Sequence, residues 1–205
     1  MSFSKLNNAI IVFAKLPVDG KVKTRLAEKM GDKFAVSFYK FCAEHTFDEV
    51  LKLKQPASDL FLFYSEESEL EQIKKWASEK FSYYSQKGND LGEKMYNAFR
   101  LIFNSGYKNV VLIGTDIPDI NYKIIEKAFS YLETADCVLG PASDGGYYLL
   151  GLKSNTIDLF SGIEWSGDSV LKKTIKKLKH LGISYFLLDK LIDIDTQEDL
   201  KLWLS

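Results

Sequence analysis

Val110-Val111-Leu112-Ile113-Gly114-Thr115-Asp116-Ile117-Pro118 is the stretch that decides the fold. Four apolar residues run into Gly114, an acid follows, and Pro118 comes two places later. An unbroken apolar run bounded by turn residues is the pattern of a strand buried on both faces of a parallel sheet. Asp116 then falls just past its carboxyl end, where open α/β sheets bind ligands. A carboxylate there can hold a hard divalent cation and, through it, the phosphates of a nucleotide. The plainer alternative is that Asp116 caps the helix expected after Pro118.

Working outward, the same strand pattern recurs at 9–14, 59–64, 137–141 and 185–188, with a short edge strand at 81–84. A further apolar strand follows the turn residues Asp144-Gly145-Gly146. Helical periodicity fills the gaps: 26–50, with a break at Gly31-Asp32, then 66–80, a helix through about 103, and 122–132. A lysine-rich amphipathic helix runs to about 181, with Ser166 as its candidate cap, and Thr196 with Asp199 forms a capping box for the last helix. Alternation over the whole length predicts an α/β protein, a three-layer α/β/α sandwich around a mixed, mostly parallel sheet. Residues 1–205 read as one domain.

Composition narrows the function classes. The chain is 46% hydrophobic and 27% charged with a net charge of −1, so bulk electrostatics offer no case for nucleic acid or a membrane surface. No apolar run approaches the roughly 18 residues of a membrane span. The polar N-terminus lacks a signal-peptide core, so a soluble cytoplasmic protein is expected. Cys42 and Cys137 lie in apolar patterns and read as buried thiols. His45 and His180 have no metal or nucleophile partner at useful spacing, which argues against zinc and Ser-His-Asp chemistry.

Charge is patterned locally. Lys15, Lys21, Lys23 and Arg25 follow the first strand, around the Asp19-Gly20 turn and before a helix. A basic, glycine-punctuated turn at a helix start favours phosphate, although the P-loop spacing is absent and a solvated loop would look alike. Asp90 can cap its helix or, beside Gly88 and Gly92, approach a ligand. The Asp144 loop is longer than a two-residue hairpin needs, and Trp165 lies in an irregular stretch fit to border a pocket. Asp193 and Asp195 alternate with Ile194, so both carboxylates share one face, costly unless solvated or bound to a cation.

Four segments occur in order: 13–26 (FAKLPVDGKVKTRL), 114–118 (GTDIP), 139–152 (LGPASDGGYYLLGL) and 193–200 (DIDTQEDL). They resemble the motifs of a bacterial family in the nucleotide-diphospho-sugar transferase superfamily, with the GT-A fold. Some of its members are described as arsenosugar-biosynthesis glycosyltransferases. The resemblance implies that Asp116 matches the metal-binding Asp-x-Asp motif and Asp195 a second metal carboxylate, for Mg²⁺ or Mn²⁺. It also implies that Lys15, Lys23 and Arg25 meet the nucleotide, and Gly20, Asp90 and Gly114 are further candidate nucleotide contacts. Asp144, Gly145, Gly146, Tyr147 and Trp165 would face the sugar or acceptor, with Asp116 and Asp144 as catalytic acids. The expected activity is metal-dependent glycosyl transfer from a nucleotide sugar to a small acceptor. The KTRL segment is also similar to guanylyltransferases such as the phospholactate enzyme. That makes nucleotidyl transfer from a nucleoside triphosphate to a phosphorylated small molecule the alternative. A non-catalytic nucleotide-binding protein is a third reading, and an oligomer is open.

Overall fold

The structure is a computed structural model that describes residues 7–154, 157–165 and 167–205. The N-terminal reading and the proposed Ser166 cap lie outside the described residues.

In chain order the elements are β1 (Asn8–Ala14), α1 (Thr24–Met30), α2 (Asp32–Lys52), β2 (Ser58–Tyr64), α3 (Leu70–Trp76), β3 (Ser82–Ser85), α4 (Leu91–Asn104), β4 (Asn109–Ile113), α5 (Tyr122–Thr134), β5 (Cys137–Pro141), β6 (Tyr147–Leu152), α6 (Ile157–Phe160), α7 (Val170–His180), β7 (Tyr185–Leu187) and α8 (Gln197–Trp203). The strands form one sheet in the order β3-β2-β1-β4-β6-β5-β7. Only β6 runs against its neighbours, antiparallel to both β4 and β5. The mixed, mostly parallel α/β sheet expected from the sequence is what the chain forms.

The sheet's two faces bury separate clusters because strand side chains alternate. Ile10 and Val12 of β1 pack with Tyr39, Phe47, Ile73, Ile125 and Phe129, under α2, α3 and α5. Ala9, Ile11 and Phe13 pack with Met95, Phe99, Ile102 and Leu178, under α4 and α7. A third cluster joins Leu26, Phe38 and Cys42 to Ile194 and Leu200, seating α1 and α8 against α2. Both cysteines are buried, reduced thiols. No helix among the described residues is long and apolar enough to cross a membrane.

One local expectation changes. The helix expected over 66–80 is only Leu70–Trp76. Before it Ser68 N–H bonds Ser65 O in a turn, and after it Phe81 N–H bonds Ser78 O. The apolar stripe survives through Ile73, but the polar ends find turn partners instead. Gly31 breaks α1 from α2 as expected, with φ 83 at the junction.

Between β1 and β4 the chain reverses its direction of growth: β2 lies on one side of β1, and β4 on the other. Such a switch point opens a crevice at the strands' carboxyl ends, and here both loops that carry the sequence's charges emerge into it.

Candidate active site

A cleft of about 730 Å³ opens at that end of the sheet. The loop after β1 forms one wall with Lys15, Lys21, Lys23 and Arg25. The floor is Gly114, Thr115 and Asp116, directly after β4. The β5–β6 hairpin and the chain before α7 form the opposite wall, with Asp144, Gly146, Tyr147, Trp165 and Asp168. Asp193 and Asp195 close the end nearest α1.

The floor is fixed by a buried hydroxyl pair. Tyr39 of α2 accepts the Lys15 N–H at 2.8 Å and lies 3.1 Å from Thr115 Oγ1. The Thr115 hydroxyl donates to Phe13 O at 3.2 Å. The ends of β1 and β4 are thereby held at one spacing, with Asp116 next in line. Burial pushes the Tyr39 phenol above its ordinary value, as does the charge of Asp116, so it stays a neutral hydrogen-bonding group. Asp116 does not cap α5; Asn121 does, accepting the Ile124 N–H at 3.2 Å.

The acidic end is built by local rules. Asp199 Oδ2 accepts the N–H groups of Asp195 (3.2 Å) and Thr196 (2.8 Å), completing the capping box of α8. On the other side Asp193 N–H bonds Ser143 Oγ at 3.2 Å and Leu191 N–H bonds Pro141 O at 3.0 Å. Held at both ends, the extended segment points Asp193 and Asp195 the same way, as their alternation predicts.

They point at Lys23. Its ammonium lies 2.9 Å from Asp116 Oδ1, 3.0 Å from Asp193 Oδ1 and 2.9 Å from Asp195 Oδ1, and its side chain is 2% exposed. Arg25 pairs with the other oxygen of Asp195. Lys23 adopts φ 47, ψ 44, a left-handed conformation that side chains disfavour by about 1–2 kcal/mol. Burial works to discharge this lysine, but three carboxylates overrule it and hold its pKa well above the ordinary value. Asp193 is pushed up to about 7, first by burial and then by Asp116 and Asp195, against the pull of Lys23. Burial also opposes ionisation of Asp195, yet Lys23 and Arg25 win and lower its pKa.

The sequence placed Lys23 against phosphate; in the structure its ammonium is ion-paired with three acids. Nor does a long helix follow the basic loop, since α1 has seven residues, and Lys15, Lys21 and Arg25 are the other cations that line the cleft.

The carboxylates suit a hard divalent ion by donor type, since three oxygens from two segments converge on one point. They stand around that point at ammonium distance, 2.9–3.0 Å, rather than the roughly 2.0–2.1 Å that Mg²⁺ demands. Among the described residues no His, Cys, Asp or Glu group is already spaced to hold a metal. Asp116, Asp193 and Asp195 therefore fit a divalent cation only if Lys23 moves.

The far wall is clamped differently. Gly145 (φ 89) rests against the chain entering α7: a Cβ there would lie 1.9 Å from Asp168 O, and Leu171 N–H bonds Gly145 O at 2.9 Å. Trp165 lies on Gly92 at the start of α4, where a Cβ would come within 2.1 Å of its indole nitrogen. Tyr147 stands edge-on to Trp165 with ring centroids 6.4 Å apart. Its hydroxyl is buried, and burial raises its pKa, so Tyr147 offers the cleft a ring rather than a hydroxyl. Asp144 Oδ1 accepts the Gly146 N–H at 2.8 Å.

Of the residues singled out from sequence, Lys15, Lys23, Arg25, Gly114, Asp116, Asp144, Gly146, Tyr147, Trp165 and Asp195 line the cleft. Gly20 turns an exposed loop, Gly145 backs the hairpin, and Asp90 caps α4 by accepting the Glu93 N–H at 2.8 Å. Sequence reasoning read Asp193 as a same-face partner of Asp195, and it assigned no role to Tyr39, Gln86 or Asp168. The alternation with Asp195 was a usable signal for Asp193; Tyr39 sits in a helical pattern without one.

Comparison with known proteins agrees with this architecture. Residues 47–167 match the family model described as "Uncharacterized protein conserved in bacteria (DUF2064)". A crystal structure from Desulfovibrio desulfuricans G20, assigned to the nucleotide-diphospho-sugar transferases, superposes with a TM-score of 0.90 at 35% identity, covering 96% of this chain and 86% of that one. The 2-phospho-L-lactate guanylyltransferase of Methanocaldococcus jannaschii is 36% identical over 118 residues, 56% of this chain. The chain spans about half the length of the curated relatives it matches. A manganese complex from Mycobacterium tuberculosis H37Rv shares the fold with a TM-score of 0.52 at 14% identity, over 96% of this chain and 97% of that one.

Proposed function

We propose that this chain, which belongs to the DUF2064 family, is a nucleotidyltransferase that joins a nucleoside triphosphate to a phosphorylated small molecule and releases pyrophosphate. Its likeness to transferases supports a transferase, and the guanylyltransferase relatives favour nucleotidyl over glycosyl transfer. The observation that carries the reading is the division of charge in one cleft. Lys15, Lys21 and Arg25 line the wall beside the sheet's switch point, and three acids stand at its floor and end. A triphosphate needs both: cations for its oxygens and carboxylates for a counter-ion.

In this reading Lys15, Lys21 and Arg25 hold the phosphate oxygens and orient the α-phosphate for attack by the acceptor's phosphate oxygen. Asp116, Asp193 and Asp195 would hold Mg²⁺ or Mn²⁺, which would supply charge neutralisation for the pyrophosphate leaving group. Trp165 and Tyr147 shield the acceptor side from water. Asp144, its carboxylate braced by Gly146 N–H, positions the acceptor.

Glycosyl transfer is the second reading. The Desulfovibrio structure and the Trp165–Tyr147 wall, which suits the apolar face of a sugar ring, favour it. Products separate the two. The protein is incubated with each nucleoside triphosphate, Mn²⁺ and phosphorylated acceptors, beginning with GTP and 2-phospho-L-lactate. Pyrophosphate formed together with a nucleotide–acceptor adduct supports nucleotidyl transfer. Nucleoside diphosphate released from a nucleotide sugar, with none from triphosphates, overturns it.

A further inference from the structure

We propose that Lys23 is an internal cation that exchanges with a divalent ion: it holds Asp116, Asp193 and Asp195 together until the ion takes their oxygens, and it then turns to the nucleotide's phosphates. The idea rests on the nucleotide-and-metal reading of the cleft but concerns a step before any chemistry.

An ammonium has three donors, and each of the three carboxylates lies within 3.0 Å of the Lys23 nitrogen. The ammonium therefore fills the point on which the oxygens converge. A divalent ion cannot share that point, and a second cation beside it would be repelled. Entry of the ion requires Lys23 to leave.

Charge favours the trade. Three acids face two cations, Lys23 and Arg25, which leaves one surplus negative charge. A divalent ion together with Arg25 balances all three. Acids that outnumber their counter-charges attract a cation of higher charge.

Lys23 also has somewhere to go. It lines the same cleft as Lys15, Lys21 and Arg25, on a flexible four-carbon stem. Its left-handed backbone belongs to a non-glycine residue, and among the described residues it is the sole such case. A phosphate entering the cleft offers the departing ammonium a new partner. Ion and nucleotide then assist each other's binding, since each favours the conformation with Lys23 withdrawn, and linkage makes the effect reciprocal.

The test uses Mn²⁺ alone on the full chain, without nucleotide. Mn²⁺ affinity is measured by electron paramagnetic resonance for the wild type and for Lys23→Met, whose side chain cannot compete. The variant should bind Mn²⁺ about tenfold more tightly, a coupling of ordinary size between linked sites. Equal or weaker binding, or no binding by either protein, overturns the proposal. A second measurement needs no variant. The wild type is acetylated briefly with and without saturating Mn²⁺, and labelling of Lys23 is read by mass spectrometry against the exposed Lys123. Mn²⁺ should raise Lys23 labelling several-fold and leave Lys123 unchanged; unchanged Lys23 labelling refutes the exchange. If Mn²⁺ releases Lys23 and no pyrophosphate forms from any triphosphate, the exchange stands and the proposed reaction falls. The converse result separates them the other way.

Discussion

Two acidic sites join distant segments of this chain, one on the helical face of the sheet and one in the cleft. Glu49 of α2 is buried, with one oxygen 2.5 Å from Lys52 Nζ and the other accepting the Tyr122 N–H at 2.9 Å. Burial works against its charge, but these two donors prevail and hold its carboxyl below the ordinary value. In the cleft, three carboxylates share one ammonium and one guanidinium, and Asp193 is driven upward to about 7. Glu49 is one acid with two donors of its own, and it fastens α2 to the start of α5. The cleft acids are more numerous than their counter-charges. A fold that needs only a tie satisfies it locally; surplus buried charge of one sign persists where a ligand supplies the remainder.

The largest expected consequence of this contrast is functional. Asp116→Asn should lower metal-dependent nucleotide turnover about 10²–10³-fold, the scale of losing one element of electrostatic stabilisation. Glu49→Gln should leave turnover within about twofold, because Glu49 does not line the cleft. Steady-state rates at saturating Mn²⁺ decide it, and a comparable loss in both variants would erase the distinction.

Next in size is the stability of Lys23→Met. Removing the shared cation strands three carboxylates, and breaking a buried pair costs about 3–5 kcal/mol. Asp116 keeps 46% of its side-chain surface in water, so solvent screening brings the expected loss to the low end, about 3 kcal/mol. Urea unfolding without metal measures it, and a loss below about 0.5 kcal/mol, the level of an ordinary surface change, contradicts the picture.

Glu49→Gln should cost about 1 kcal/mol near neutral pH, the difference between charged and neutral hydrogen bonds. Because the folded pKa is depressed, this stability is present above the unfolded value of 4.5 and lost as pH falls through the folded value. The gap between wild type and variant should close below about pH 4.5 in thermal melts.

A last effect runs the opposite way. Asp193 has a raised folded pKa, so its favourable contribution is full below 3.8 and is lost as pH rises through about 7. Asparagine mimics the protonated form at every pH. The melting temperature of Asp193→Asn should therefore gain on the wild type between pH 5 and pH 8 in metal-free buffer. Parallel curves would show that Asp193 ionises as readily folded as unfolded.

Much of the fold was legible because it depends on neighbours in sequence. The apolar runs at 9–14 and 110–113 became the buried centre of the sheet, and the Thr196–Asp199 capping box formed as written. Asp90 was readable as a cap by the same logic. The shortened α3 was not, because its polar ends had turn partners that periodicity cannot weigh. In the site, the residue types were legible and their partners were not. Trp165 reads as a pocket border, but its seat on Gly92 depends on the packing of α4 against a segment far along the chain.

The sequence by itself determined the alternating α/β order, the strand ends that carry Asp116 and the basic loop, and the shared face of Asp193 and Asp195. Each follows from hydrophobic period, turn chemistry or strand alternation, which act over a few residues. Only the tertiary structure decided that Lys23 meets those acids rather than standing free for phosphate. Lys23 and Asp193 are 170 positions apart. Their attraction depends on distance and burial, and both are set by the sheet, the α8 capping box and the hairpin together rather than by any local run of residues.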